Sequence, residues 1–591
     1  MAGHAMALAA AGLIGAASSA GASGFAIASV SGIAQSFGDG EKVSQAVVEY
    51  SADLDPSSVS ASDFQVEGRE VTGVVVSIDG VKGDGRGRFA IVSLSTANTA
   101  YDGDLAKRAG KQPRQDNGTD APSNSDRKAP DLSFSIIQTG EVKSSSGEVL
   151  AGSKKAFPAS RISDPVLERF TQHLYTDPES GESMPYNLYV PSGCKGSKRC
   201  PLVVFIADAS ADIDDVKAPL YQGNGATVFA EDGFQQAHEC IVLAPQYTHA
   251  MIEKLGMLTT DKNEWTPGLT LVSHLLFSVA SDVNADFNRI YGTGQSQGGM
   301  SNIAISDRYP DFFAAQYLVA CQWNADEMKA LSGKKLWITV CEGDTKAYPG
   351  MNEAVAKWEA MGVKVARNDE MWDPKSPASE IDAEVLDLSS SGAGINYTVF
   401  KGGNHMYTWS FAYGIRPVLD WMFAQSRDDR MAHHSMKAKD DLDSGVKACG
   451  EGNYKGGLEL FERADLEGNF KAARHLGIMY EQGLGVEKDP ARAAALYARA
   501  AAAGDITASF LLGDLYRRGA GVRKDLVRAR ALYEASAQRG DIISAPAMVA
   551  LGMLYEQGSG VRQDAAAAQV LYDKAKAAGL DVKAQLAALG K

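Results

Sequence analysis

The sequence predicts a multidomain chain of three fold classes in series: a β-sandwich, a doubly wound α/β domain and an all-α solenoid of αα-hairpins. Three observations carry this. Between residues 161 and 430 short continuous apolar runs alternate with helical patterns, as in a parallel sheet covered on both faces. Residues 25–160 hold only strand-length runs between Gly-, Asp- and Ser-rich turns. Near the end, the block Gly477-Ile-Met-Tyr480-Glu-Gln-Gly483-Leu-Gly485-Val486 returns from Gly513 and again from Gly552, a period that means stacked supersecondary units.

In the middle part, Pro201–Ile206, Cys240–Ala244, Phe313–Ala320, Leu336–Cys341 and Ile395–Phe400 read as buried strands. Leu269–Val283, Met351–Met361 and Tyr413–Gln425 read as helices between or after them. The run Arg289–Gln295 breaks into Gly294-Gln295-Ser296-Gln297-Gly298 and then into a helical stretch, Met300–Arg308. That is a G-x-S-x-G elbow in a strand–turn–helix setting, where glycines admit a strained turn and leave the serine hydroxyl exposed at a strand end. Asp344 follows the apolar run Leu336–Cys341, and His405 follows Ile395–Phe400. Ser, Asp, His is the chain order of α/β-hydrolases.

Each residue has one expected role. Ser296 attacks an acyl carbonyl, His405 takes its proton and returns it to the leaving group, and Asp344 holds the imidazole and stabilises its cation. Glu342, two residues earlier, competes with Asp344; Asp344 is favoured because the strand has given way to loop there. The other histidines of this domain, His173, His238, His249 and His274, all precede Ser296. For the oxyanion, the N–H of Gln297 is one expected donor. The loop Ala207-Asp208-Ala209-Ser210 offers the second, by position from Ala209.

Four stretches carry a resemblance: Tyr186–Pro191, Pro201–Ile206, Ala285–Tyr291 and Gly294–Met300. Residues of about 165–425 resemble secreted esterases related to polyhydroxybutyrate depolymerases, feruloyl esterases and prolyl-oligopeptidase-like hydrolases. The chain departs from that pattern at Ala207-Asp208, where the family usually carries His-Gly. Upstream, Val43–Ser51, Gly73–Ile78, Phe89–Leu94 and Leu132–Ile136 are strand candidates. Gly38–Leu54 and Ala61–Glu67 resemble the immunoglobulin-like domain that precedes the hydrolase domain in some esterases. The polar segment 105–130 is too poor in apolar residues to bury anything and reads as a mobile loop inserted in the sandwich.

From about residue 435 to 591 the repeats resemble Sel-like, tetratricopeptide-related hairpins, which implies a scaffold for a protein partner. Asp489, Asp525 and Asp564 are placed to cap each second helix, Leu496-Tyr497, Leu532-Tyr533 and Leu571-Tyr572 to pack it, and Gly504, Gly540 and Gly579 to end it. A degenerate unit is expected to begin near Asp443, making four hairpins. Because such units contact mainly their neighbours, the solenoid is expected to separate from the hydrolase domain.

A net charge of −15 with no dense basic stripe argues against nucleic acid as a main partner. No segment after the start is long and apolar enough to span a membrane. Residues Ala5–Ala22 are small and mostly apolar, and 1–24 read as a signal-peptide-like leader, which places the protein outside the cell or in the periplasm; the lack of Lys or Arg before them leaves a flexible Ala/Gly leader as the alternative. Of the six cysteines, Cys194 and Cys200 flank a short basic loop and suit a local disulfide; Cys321 and Cys341 end neighbouring strand candidates. Either pair reads equally as buried thiols, and no Cys-x-x-Cys spacing points to a metal. The domain plan is therefore 1–24 leader, 25–160 immunoglobulin-like sandwich, 161–430 hydrolase and 435–591 solenoid. The expected reaction is hydrolysis of a small or polymeric carboxylic ester without metal or cofactor. The alternatives are a prolyl-oligopeptidase-like peptidase and a non-enzymatic adaptor with a degenerate hydrolase domain.

Overall fold

The computed structural model describes residues 24–97, 129–195, 199–211, 213–260, 262–283, 285–310, 312–427, 436–466 and 469–590. Most of the leader and of the polar segment 105–130 lies outside the described residues. The chain divides into two compact units, one of residues up to 33, 43–96 and 132–163, the other containing residues 34–42 and everything from Asp164 onward.

The N-terminal unit is strand-rich. A five-stranded sheet runs in the order Ile162–Ser163, Ile27–Phe37, Gly40–Tyr50, Phe89–Leu94, Val71–Ser77, and a three-stranded sheet in the order Phe64–Val66, Ser135–Gln138, Ala156–Pro158. Both contribute to one core: Val48 and Tyr50 from the first meet Phe64 and Ile136 from the second. The Tyr50 hydroxyl, buried there, donates to Gln138 Oε1 at 2.9 Å, so its polar end is satisfied. The long strand Ile27–Phe37 is absent from the sequence-based expectations. Its Ser, Ala and Gly content dilutes the apolar alternation, although Val30 and Ala34 are buried.

The second unit is built on a nine-stranded sheet. Its strands are β1 (Thr171–Thr176), β2 (Ser183–Tyr189), β3 (Cys200–Ile206), β4 (Ile241–Pro245), β5 (Ala285–Gln295), β6 (Ala315–Val319), β7 (Leu336–Cys341), β8 (Val365–Arg367) and β9 (Ile395–Phe400). Their spatial order is β1-β2-β4-β3-β5-β6-β7-β9-β8. The first two strands pair antiparallel and the rest are parallel. The period-2 geometry of a strand explains why β3 is apolar throughout. Leu202, Val204 and Ile206 enter a core with Leu275, Leu276 and Ile303, whereas Val203 and Phe205 enter another with Leu220, Phe229, Trp409 and Leu419. Each such side chain, buried rather than exposed, is worth about 1.5–3 kcal/mol. The helix expected over Tyr413–Gln425 is Arg416–Phe423, and a further helix not expected from the sequence, His405–Ala412, precedes it. Between them the Tyr413 hydroxyl is tied to Thr293 Oγ1 at 3.0 Å, and Pro417 sits in the first turn of the second helix.

The repeats form four helix pairs: Met436–Gly450 with Tyr454–Leu466, Phe470–Gln482 with Pro490–Ala502, Ile506–Arg518 with Leu526–Ala537, and Ala545–Gln557 with Ala565–Ala577. A short helix, Val582–Ala588, follows. The degenerate pair starts before Asp443, which lies inside its first helix. Asp489, Asp525 and Asp564 cap the second helices, as their spacing predicts. The repeated glycine has a steric cause. A Cβ at Gly477, Gly513 or Gly552 would come within 2.5, 2.8 or 2.6 Å of the ring of Tyr497, Tyr533 or Tyr572, so the two helices of a pair close only on glycine.

The hairpins contact mainly one another, as expected, but they also dock on the sheet domain, so they are not a separate unit. Pro490–Ala502 packs on the helix Pro267–Asp282 of the sheet domain, and one apolar core runs from Leu275 and Ile303 to Leu496 and Leu532. At the seam Arg499, only 4% exposed, meets Asp465, lies 3.8 Å from Glu179 and donates to His274 Nε2 at 2.9 Å. His274 Nδ1 in turn lies 3.0 Å from Asp177 Oδ1. A second anchor is Asp282, which accepts from the Tyr516 hydroxyl at 2.6 Å and from Arg528 at 2.9 Å. Removing one member of a buried ion network strands the others. Arg499→Met should therefore lower the unfolding free energy by about 3–5 kcal/mol in urea denaturation, and a chain ending at Arg430 should melt below the intact protein. Unchanged melting in both would mean that the seam carries no stability.

Candidate active site

Ser296 follows β5 directly and starts the helix Gln297–Arg308. Its backbone is at φ 52° and ψ −123°, a region that costs a non-glycine residue of order 1–3 kcal/mol. The surroundings hold it there: the Ser296 N–H donates to Val319 O on β6 at 3.0 Å, and its carbonyl accepts from Met300 N at 3.0 Å. A Cβ on Gly298 would come within 1.8 Å of Ile206 O, and one on Gly294 within 2.5 Å of the same oxygen. The G-x-S-x-G spacing thus reflects backbone of β3 lying against both glycines.

Asp344 and His405 come from the ends of β7 and β9. His405 Nδ1 lies 2.6 Å from Asp344 Oδ2, and His405 Nε2 lies 2.7 Å from Ser296 Oγ. A carboxylate only accepts, so Nδ1 carries the hydrogen and Nε2 accepts the serine O–H. Asp344 is 2% exposed, and its other oxygen accepts from Lys346 N at 3.0 Å and Ala347 N at 2.9 Å. Burial pushes the Asp344 carboxyl up, but the hydrogen bond and charge of His405, with the two amides, outweigh it and hold the carboxyl below its ordinary range. The competitor Glu342 points elsewhere and accepts from Gly402 N at 3.0 Å. It pins the loop that leads into His405, whose helix is capped by Asn404 accepting from Tyr407 N at 2.9 Å.

Gln297 opens the elbow helix, where the first N–H groups have no partner within the helix. Ala209 begins a short 3-10 turn, Ala209–Ala211, just after β3. Two contacts escaped the sequence reading. Trp409 sits edge-on to His405, with ring centroids 5.4 Å apart. Gln295 Nε2 donates to Asp208 Oδ2 at 3.0 Å, both side chains being buried. Trp409 follows His405 by four residues on one helix, which puts the two rings on one face, whereas Gln295 and Asp208 stand at the ends of different strands and leave no spacing signal.

Cys194 and Cys200 form a disulfide, while Cys321 and Cys341 are unpaired buried thiols. Burial pushes the Cys341 thiol up to about 12, so it stays protonated. Among the described residues the one group of three close metal-type side chains is Cys194, Cys200 and Glu239, and its two sulfurs are bonded to each other. No described helix is long and apolar enough to cross a membrane.

Residues 29–151 match the family described as the esterase Ig-like N-terminal domain, and residues 470–505, 506–541 and 545–580 each match the Sel1 repeat. Among solved structures, a thermostable esterase is similar at 21% identity over 68% of this chain and 100% of that one, with a TM-score of 0.51. A Sel1 repeat protein from Oxalobacter formigenes is 29% identical over 25% of this chain and 59% of its own, with a TM-score of 0.23. A feruloyl esterase module from Clostridium thermocellum is 15% identical over 46% and 95%, with a TM-score of 0.30. No curated protein matches.

The depressed Asp344 carboxyl generates a pH test. Its folded pKa lies below the ordinary 3.8, so its stabilising contribution is complete above that value and is lost as the pH falls through the folded one. Urea denaturation between about pH 2 and pH 7 should show wild type and Asp344→Asn converging in acid and separating toward neutrality. Parallel profiles would contradict this linkage. By its sequence matches and its fold, the chain carries an esterase Ig-like N-terminal domain, a mixed α/β domain with the fold of a thermostable esterase, and C-terminal Sel1 repeats.

Proposed function

We propose that the protein is a serine hydrolase that cleaves carboxylic esters through an acyl-enzyme. The hydrogen-bonded series Asp344–His405–Ser296 at the strand ends carries this reading. Ser296 Oγ attacks the acyl carbonyl as His405 Nε2 takes its proton. The imidazolium then protonates the departing alcohol, and a water deacylates the serine by the same route. Asp344 fixes the tautomer and stabilises the imidazolium without taking the proton. The N–H groups of Gln297 and Ala209 receive the oxyanion, acting on charge that develops in the transition state. The Sel1 repeats engage a protein partner through surface not used in docking to the hydrolase. A secreted or periplasmic location accords with the Cys194–Cys200 disulfide.

Turnover of p-nitrophenyl acetate and butyrate tests the reaction. Ser296→Ala should lower kcat by about 10⁴–10⁶ and Asp344→Asn by about 10⁴, with both variants folded. Glu342→Gln should cost far less than Asp344→Asn. Turnover of peptide amides without esters would favour a peptidase, and turnover of neither would leave the hydrolase domain a remnant beside an adaptor. Undiminished activity in Ser296→Ala would sink the mechanism.

A further inference from the structure

We propose that Asp208 and Gln295 form a buried clamp that sets the oxyanion-binding loop, both acting as positioning residues; this rests on the ester-hydrolase reading above. Gln295 is the last residue of β5 and the covalent neighbour of Ser296, and Asp208 immediately precedes Ala209. Their side chains, 2% and 6% exposed, meet at 3.0 Å from Nε2 to Oδ2. The bond therefore ties the nucleophile's strand to the loop that supplies the second oxyanion donor.

Backbone contacts make the same link from the other side. A Cβ on Gly298 would come within 1.8 Å of Ile206 O and 2.8 Å of Ala207 O, so the start of this loop lies flush against the elbow helix. The Asp208 carbonyl accepts from Ala211 N at 3.1 Å, which starts the turn containing Ala209. Gly223 walls the Gln295 amide, with a Cβ there only 3.6 Å from Nε2.

A carboxylate in this position also opposes negative charge forming nearby, so its charge and its hydrogen bond act in opposite directions. The hydrogen bond outweighs the charge if loop position is what matters, since losing one oxyanion donor costs about 10²–10³ in kcat. Asparagine separates the two effects, because it keeps the acceptor for Gln295 and drops the charge.

The test is steady-state hydrolysis of p-nitrophenyl butyrate by the full chain, with near-UV circular dichroism to score folding. Asp208→Ala and Gln295→Met should each lower kcat by about 10–100-fold with KM within about threefold, and Asp208→Asn should stay within about threefold of wild type. Inhibition by an alkyl trifluoromethyl ketone, which forms a tetrahedral oxyanion on the serine, should weaken in parallel with kcat/KM. Binding of the unreactive alkyl methyl carbinol should not change. Gln295→Met stands in if Asp208→Ala does not fold. Wild-type kcat in both Asp208→Ala and Gln295→Met overturns the clamp while leaving the hydrolase reading intact. A loss in Asp208→Asn equal to that in Asp208→Ala overturns it too, because charge would then be the operative property. Should both side-chain deletions unfold the protein, the pair serves the fold and the proposal falls. An inactive wild type removes the hydrolase reading and this role together.

Discussion

The backbone of Ser296 is the constraint on which the candidate site depends. A serine at φ 52° is strained, and it persists only because its surroundings leave no relaxed alternative. Its N–H is committed to Val319 O, and the flanking glycines stand where the backbone of β3 leaves no room for a Cβ. Relaxing φ would break the contact with β6 or separate the elbow helix from β3. The hydroxyl is thereby aimed at the end of the sheet, where β7 and β9 also end. Parallel strands put their carboxyl ends on one edge, so Asp344 and His405 arrive beside Ser296 although they lie far along the chain.

Around that edge, neighbouring residues divide the work. Asp344 meets the imidazole and Glu342 holds the loop amide of Gly402. Gly343 lies between them, where a Cβ would come within 1.9 Å of Gly403 O. The end of β7 and the loop after β9 are thus locked at adjacent points. This fixes where the helix begins that starts with His405, and with it the position of the ring. The choice between two acids two residues apart is therefore set by backbone packing more than by acidity.

Much of this was legible in the sequence. Continuous apolar runs marked β3, β4, β6, β7 and β9, because strands buried on both faces cannot alternate. Ser296 followed from the G-x-S-x-G elbow, and Asp344 and His405 from chain order and from their places just after apolar runs, since in a parallel sheet the turn after each strand faces the same edge. The repeat glycines and capping aspartates were visible because each hairpin solves the same steric problem. The clamp of Asp208 on Gln295 was not legible, since a pair formed between two strand ends has no spacing rule. Ile27–Phe37 escaped because its small residues satisfy a strand without announcing one. Arg499 escaped for a related reason: an arginine on a repeat helix reads as a solvated face unless the helix that covers it is known.

That last case shows how the solenoid is joined to the sheet domain. The apolar part of the seam, from Leu275 to Leu496, is non-directional and would tolerate sliding of one helix along another. A buried arginine held by Asp465, Glu179 and His274 would not, because a displaced helix leaves a desolvated charge unpaired. Asp282, shared by Tyr516 and Arg528 of the next repeat, adds a second fixed point on the same helix, Pro267–Asp282. Two such points on one helix define the rotation and the register of the solenoid together. The helix they grip ends just before β5, the strand that carries Ser296. The repeats are thus anchored on the scaffold that positions the nucleophile, without contributing a side chain to the hydrogen-bonded series itself.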